Sequence, residues 1–283
     1  MPKGSELDRS SSIAHVWDPH SLHDWGDTSL GDSVSGFYES EWLGELIGEV
    51  RHPGGDRLIQ AIGKRCIINE ESEVLDVGCG DGVTTIGIAS SFGCTIRGLD
   101  ISQELVDEAR EKVNRGGLEN VNFQLTNGDI SHLPESSYDV ILFISSLSLF
   151  ESKLDVLREA RRILKPGGIL VVANIIVTEN LPLEGSTKMM FASCIAGALP
   201  KDSMADLIEE VGFKEVTTID WSHELKRQWA TAFMRVQLKR RPKNSSLKRT
   251  GEQEGGEVRK FLQNAEELFD SGALGYCIFI GKG

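Results

Sequence analysis

The residues with the clearest chemical potential lie in one short stretch, EVLDVGCGDG, at positions 73–82. Asp76 follows an apolar run and precedes Gly78, Gly80 and Gly82. Glycine weakens the interior of a helix or strand by roughly 0.5–1 kcal/mol, so three at alternate positions indicate an unusual backbone path or a closely approaching ligand. A loop of this kind between a strand and a helix would lie at the carboxyl edge of an open α/β sheet, where ligands bind.

The spacing of this loop favours a cationic nucleoside over a dinucleotide. A dinucleotide-binding loop has its third glycine three residues after the second, a place that Val83 occupies here. The carboxylate of Asp76 would repel a pyrophosphate, but it would stabilise a cation by about 1.5–3 kcal/mol through a charge-assisted hydrogen bond. Asp100, at the end of the next predicted strand, could accept hydrogen bonds from both hydroxyls of a ribose. The pattern predicts a positively charged nucleoside without phosphate, such as S-adenosylmethionine.

The loop is positioned by a chain in which short apolar runs alternate with helical patterns. Helical spacing covers 56–64, 82–92, 102–115, 152–164 and 202–211. Strands are predicted at 73–77, 95–100, 121–125, 138–144, 168–175, 214–220 and 274–281. Strand–helix alternation predicts an α/β fold with a seven-stranded, mostly parallel, doubly wound sheet.

Two further segments flank or interrupt this pattern. Residues 1–70 are predicted to form an N-terminal segment whose aromatic-rich helix, 36–50, would be either a lid over the site or ordinary packing on the sheet edge. The second domain, 71–283, contains an insertion at 221–273 between the last two strands. Within it we expect helices at about 223–239 and 258–270, separated by a polar stretch.

The composition of the chain limits the classes of partner that it can bind. The chain of 283 residues has a formal net charge of −13, which argues against a nucleic-acid partner outside the basic cluster at 239–249. No apolar run approaches the roughly 18 residues that cross a membrane, so we expect no membrane partner. A small-molecule partner is predicted, and a homodimer stays open as an alternative to a monomer.

The cysteines and histidines predict neither a disulfide framework nor a metal site. Five scattered cysteines form no CxxC pair and have an odd total, which suits a reducing cytoplasm. Three N-terminal histidines alternate with aspartates, but their spacing matches no standard metal pattern; they are His15, His20 and His23.

Several ordered motifs resemble class I S-adenosylmethionine-dependent methyltransferases. They are D-x-G-x-G-x-G at 76–82, Asp100, NGDI at 127–130, YDVILF at 138–143, ILKPGGIL at 163–170 and LGYCIFIG at 274–281. The resemblance implies a Rossmann-like methyltransferase fold whose last strand is antiparallel. It also implies S-adenosyl-L-methionine as the cofactor.

The same resemblance implies roles for particular residues. Asp76 or the loop would hold the methionine end, Asp100 the ribose, and Asp129 with the Ile130 amide the adenine edge. The other expected cofactor residues are Gly78, Cys79, Gly80, Ile101, Ile144 and Ser145. Ile101 would pack on adenine, and Ile144 and Ser145 would lie beside the methyl group. Simpler structural roles remain as alternatives: Asp129 could begin a turn, Ile101 could be core, Ser145 could end a strand, and Cys79 would be a small filler of the loop rather than a nucleophile.

One region points to a subgroup. Residues 181–199 are similar to arsenite methyltransferases and their relatives, with Cys194 at the position of a cysteine in those enzymes. Ser145 stands where they have a second cysteine, and no cysteine pair precedes the glycine loop. Soft metalloids require several thiolates, so arsenic methylation is not the expected activity.

The expected activity is methyl transfer to a small molecule by in-line displacement. Such transfer depends mainly on positioning, and a base helps only if the acceptor carries a proton. No catalytic residue follows from the pattern, and His52, Cys194 and Ser145 are the candidates. The alternatives are a catalytically silent cofactor-binding or regulatory subunit and a methyltransferase acting on RNA or protein.

Overall fold

The computed structural model describes residues 52–178, 194–195, 197–238 and 267–283. Its regular elements follow in the order α1 (Asp56–Cys66), β1 (Glu73–Val77), α2 (Val83–Phe92), β2 (Thr95–Asp100), α3 (Gln103–Gly116), β3 (Val121–Leu125), β4 (Tyr138–Ile144), α4 (Lys153–Ile163), β5 (Leu164–Val177), α5 (Lys201–Glu210), β6 (Lys214–Asp220), α6 (Ser222–Leu238) and β7 (Leu274–Lys282). A short 3₁₀ helix, Leu147–Leu149, follows β4. No helix in this part of the chain is long and apolar enough to cross a membrane.

The strands form one seven-stranded sheet in the order β3-β2-β1-β4-β5-β7-β6. Strands β1 to β5 pair in parallel, and β7 pairs antiparallel with both β5 and β6. The predicted α/β fold with an antiparallel last strand is therefore confirmed. The strand order reverses between β1 and β4, and this switch point is where ligands bind in open α/β sheets.

Strand prediction was wrong in one place, at the start of β5. We expected the helix to end at 164 and the strand to begin at 168, but β5 begins at Leu164 and ends at Val177. Leu164 already pairs with Tyr138, and the ladder resumes only at the pair of Val140 and Ile169. KPGG therefore forms a bulge inside the strand, with Gly167 at a φ of 78°.

Two apolar clusters cover the two faces of the sheet. One joins α1 and α2 to the sheet through residues such as Leu58, Ile88 and Val74. The other joins α4 and α5 to the opposite face through residues such as Leu157 and Met204. Because both faces are covered, the central strands are almost continuously apolar, which is why they were recognisable in the sequence.

The insertion begins with α6, close to the predicted helix at 223–239. Its first turn docks on α1 through Glu224, a carboxylate that is only 3% exposed and lies 2.9 Å from the Arg57 guanidinium. Residues 267–270, at the end of the second predicted insertion helix, are helical. The predicted helix at 36–50, the N-terminal histidines, the basic cluster at 239–249 and the rest of the second insertion helix lie outside the described residues. The division at residue 70 stays a prediction.

Candidate ligand site at the carboxyl edge of the sheet

The loop between β1 and α2 is held against the end of β2 by backbone hydrogen bonds. The N–H groups of Gly78 and Cys79 both donate to the carbonyl of Leu99, at 2.7 and 3.0 Å. Gly82 closes the turn by donating to the Cys79 carbonyl at 3.1 Å. These hydrogen bonds hold the loop in one position at the switch point.

Asp100 is the side chain that anchors this loop. Its Oδ2 accepts a hydrogen bond from the Gly80 N–H at 2.7 Å, and its Oδ1 accepts one from the Ser102 N–H at 3.0 Å. Ser102 in turn caps α3, because its hydroxyl accepts from the Leu105 N–H. An ionised carboxylate has about four acceptor sites, so the group that anchors the loop could also accept hydrogen bonds from a ribose. The sequence did not predict that Asp100 anchors the loop.

The three glycines of the loop serve different purposes. All have positive φ, which favours glycine. A side chain at Gly78 would collide with Ser146, and one at Gly82 would collide with Phe123 and Ala109. A Cβ at Gly80 would meet no atom within 4 Å. Gly80 is therefore the position where the backbone faces open space and a ligand can approach it.

Asp76 is a buried carboxylate below the loop. Its Oδ2 accepts a hydrogen bond from the Thr85 hydroxyl of α2 at 2.6 Å. Burial raises its pKa to about 6, and the charge of Asp100 adds to this, whereas the Thr85 hydrogen bond opposes it. An approaching cation would favour the ionised form. The sequence analysis did not identify Thr85, although this residue lies in the first turn of α2, the helix that follows the strand of Asp76.

Cys79 is also buried in this loop. Burial raises the pKa of its thiol well above the usual range, and the charges of Asp76 and Asp100 act in the same direction. The thiol therefore stays protonated, in agreement with a filling role rather than a nucleophilic one.

The residues predicted for adenine have mixed surroundings. Ile101 directly follows Asp100 and is 45% exposed, an apolar surface beside the loop. The carboxylate of Asp129 accepts from the N–H and the hydroxyl of Ser131, which lowers its pKa. Asp129 thus forms a turn, as the alternative reading expected, while its exposed edge stays available to a ligand. The Ile130 side chain is buried in the core.

The segment after β4 contacts the glycine loop directly. Ile144 is buried at the end of the strand, and Ser145 turns the chain with a φ of 56°. The hydroxyl of Ser146 donates to the Val77 carbonyl at 2.5 Å. Ser146 therefore ties β4 to β1, and it explains why Gly78 has no side chain.

Two of the three catalytic candidates come together. The Cys194 thiol donates to the Ser145 carbonyl, with 2.9 Å between sulfur and oxygen. His52 is buried with neither ring nitrogen hydrogen-bonded, and burial lowers its pKa to about 4. His52 is therefore neutral near pH 7, with no bond to the other two. The predicted cofactor residues of β1, β2 and β4, in contrast, meet at one edge.

Comparisons with known proteins agree with this arrangement. A family model described as a methyltransferase domain matches residues 68–233. The methyltransferase GfsG of Streptomyces halstedii is 31% identical over 179 residues, covering 61% of this chain and 63% of that protein. An arsenite methyltransferase of Halobacterium salinarum is 31% identical over 163 residues, covering 55% and 41%, which confirms the predicted subgroup resemblance. The chain thus spans less than two thirds of either relative.

A solved structure shows the same fold. Phosphoethanolamine N-methyltransferase 2 of Haemonchus contortus, in complex with S-adenosyl-L-methionine, superposes with a TM-score of 0.76 at 17% identity. The superposition covers 91% of this chain and 60% of that one.

Proposed function

The chain belongs to the family of methyltransferase domains, and from this premise we propose that it transfers a methyl group from S-adenosyl-L-methionine to a small-molecule acceptor. The proposal rests chiefly on the geometry of the loop at the switch point. Gly80 faces open space there and donates its N–H to Asp100, and Asp76 is a second carboxylate at this loop; their charge suits a cationic nucleoside.

The residues present fit this cofactor. The Asp100 carboxylate would accept hydrogen bonds from ribose hydroxyls, and Ile101 offers an exposed apolar surface next to it. Asp76 would pair with the ammonium group of the methionine end, and its ionisation would be favoured by that charge. Asp129 and the Ile130 amide would hold the adenine edge. The same loop disfavours a pyrophosphate, since it carries Asp76 where a phosphate would be repelled.

When bound, S-adenosylmethionine supplies an activated methyl group on a positively charged sulfur. The chain then has to hold the acceptor in line with that methyl group and exclude water from the contact. Ile144 and Ser145, at the end of β4, are placed beside the glycine loop through the bond between Ser146 and Val77. They are the residues that would face the reacting atoms.

A small acceptor is supported by two observations. The formal charge of −13 disfavours polyanionic partners, and the related structure from Haemonchus contortus belongs to an enzyme named for a small amine, phosphoethanolamine.

Isothermal titration calorimetry with S-adenosylhomocysteine tests the proposal. We expect a micromolar Kd at pH 7.5 and no binding of NAD⁺, which carries a pyrophosphate. Release of S-adenosylhomocysteine from S-adenosylmethionine, measured over a panel of amines, phenols, thiols and carbon acids, then separates an enzyme from a silent cofactor-binding subunit. Binding of NAD⁺ in place of S-adenosylhomocysteine would contradict the proposal.

A further inference from the structure

The polar groups of Ser145 form a closed network. Its N–H donates to the Ala173 carbonyl at 2.7 Å, and its carbonyl accepts from the Cys194 thiol at 2.9 Å. Its hydroxyl lies 2.9 Å from the hydroxyl of Tyr276 on β7. Ser145 is half-buried, whereas Tyr276, Ala173 and Cys194 are buried. Ser145 is therefore the member of this group with exposed surface, and it directly follows β4 at the carboxyl edge of the sheet.

The direction of the bond between the two hydroxyls follows from proton counting. Tyr276 has one hydroxyl hydrogen, and it donates that hydrogen to the Ala173 carbonyl at 2.8 Å, because a carbonyl can only accept. Burial raises the pKa of Tyr276, so this hydrogen is retained. The Ser145 hydroxyl must then donate its own hydrogen to Tyr276. Both donors of Ser145 are used, and only lone pairs of Oγ remain for the site.

We propose that Tyr276 orients Ser145 so that Oγ accepts a hydrogen bond from the methyl acceptor, which is therefore an amine or a phenol. This inference rests on the proposed function and adds the acceptor class to it. Carbon acids, thiolates and metalloids present no strong hydrogen-bond donor on the reacting atom, and Ser145 offers them no compensating contact. Tyr276 is a positioning residue, because it acts through Ser145.

The transfer balances without a base in this network. A lone pair of the acceptor nitrogen or oxygen forms the bond to the methyl carbon, and the electron pair of the broken S–C bond stays on sulfur. The acceptor proton that Ser145 orients is then released to water. Amines and phenols allow this, since the product ammonium or the phenol itself loses a proton to solvent more readily than an alcohol does.

The experiment compares the wild type with Ser145→Ala, Tyr276→Phe and the matched control Tyr138→Phe, which removes the hydroxyl of a buried tyrosine at the opposite end of β4. The acceptors are benzylamine, 4-methylphenol, benzyl mercaptan and cyclohexane-1,3-dione. We expect methylation of benzylamine or 4-methylphenol, with kcat/KM at least about 10-fold above the other two compounds. Ser145→Ala and Tyr276→Phe should each lower this kcat/KM by about 10-fold, the effect of one hydrogen bond, chiefly through KM. Tyr138→Phe should match the wild type.

Inhibition by 4-methylanisole separates positioning from a structural role. This ether has only lone pairs, so in the wild type it should bind about 10-fold more weakly than 4-methylphenol. In Tyr276→Phe the Ser145 hydroxyl is free to turn and donate, so the difference should shrink to about 2-fold. The Kd for S-adenosylhomocysteine should stay within about 2-fold in Tyr276→Phe and Tyr138→Phe, which shows that the fold and the cofactor site are intact in these two variants.

Four results would overturn the inference. Two concern the wild type: a preference for the thiol or the dione, and no turnover of benzylamine or 4-methylphenol by protein that binds S-adenosylhomocysteine. The other two are full activity of Ser145→Ala and an unchanged ratio between the affinities for 4-methylanisole and 4-methylphenol in Tyr276→Phe. Failure of the wild type to bind S-adenosylhomocysteine would instead contradict the proposed function.

Discussion

The buried carboxylate of Asp76 should make cofactor binding depend on pH. Folding raises its pKa from 3.8 to about 6, chiefly through burial. Each pKa unit corresponds to about 1.4 kcal/mol, so ionisation costs about 3 kcal/mol more in the free folded protein than in the unfolded chain. The stability that this proton contributes is complete below about pH 4 and is lost as pH rises through about 6.

A bound ammonium group would reverse this preference, because it favours the carboxylate. If the ion pair returns the pKa of Asp76 to about 4, linkage predicts that the Kd for S-adenosylhomocysteine falls about 10-fold between pH 5 and pH 7.5. At pH 5 binding should release about 0.8 proton, since the carboxyl is mostly protonated in the free protein and mostly ionised in the complex.

Calorimetry in buffers of different ionisation enthalpy measures both quantities. Asp76→Asn should bind more weakly at pH 7.5, with no proton release at pH 5 and no change in Kd between the two pH values. Asp107→Asn, which alters an exposed carboxylate on α3, should keep the wild-type pH dependence. An affinity that is flat with pH in the wild type, or a slope that persists in Asp76→Asn, would refute the assignment of Asp76 to the methionine end.

The remaining predictions concern the loop and its support. Asp100→Ala should weaken S-adenosylhomocysteine binding by about 10- to 100-fold in calorimetry, because the loop loses its anchor and the ribose its acceptor. Gly80→Ala should cost about 1 kcal/mol of unfolding free energy through backbone strain and also abolish binding; Gly117→Ala, with similar φ and equally open surroundings, should cost the same while binding stays unchanged. Glu224→Gln should lower the free energy of unfolding by about 1 kcal/mol in urea titrations, a modest amount because its partner Arg57 is 55% exposed.

Most of the fold could be predicted because its signals are local. The strands between covered faces are apolar along their length, and the helices begin at capping residues such as Ser102 and Ser152. The start of β5 could not be predicted in this way. Its KPGG stretch has the composition of a helix stop, and only pairing of Leu164 with Tyr138 of β4 makes it part of a strand.

The residues of the site likewise divide into those with local sequence signals and those that meet only through long-range contacts. The glycine loop and Asp100 lie within about one strand–helix–strand unit, so their spacing alone indicated a ligand and its charge. The bond between Ser146 and Val77 joins residues 69 positions apart, and the contact between Ser145 and Tyr276 spans 131 positions. No spacing rule relates such positions, because they meet only when the sheet closes in its particular strand order.

The local and the long-range parts of the site can change independently of each other. The proposed cofactor half of the site is built from β1, β2 and the loop between β1 and α2, whereas the Ser145 hydroxyl contacts Tyr276 of β7, on the far side of β5. A substitution at Tyr276 alters the hydrogen-bonding character of Ser145 without touching Asp76, Gly80 or Asp100. On the proposed assignment, the acceptor class can change through one buried residue outside the cofactor half, so relatives that share the glycine loop need not share a substrate.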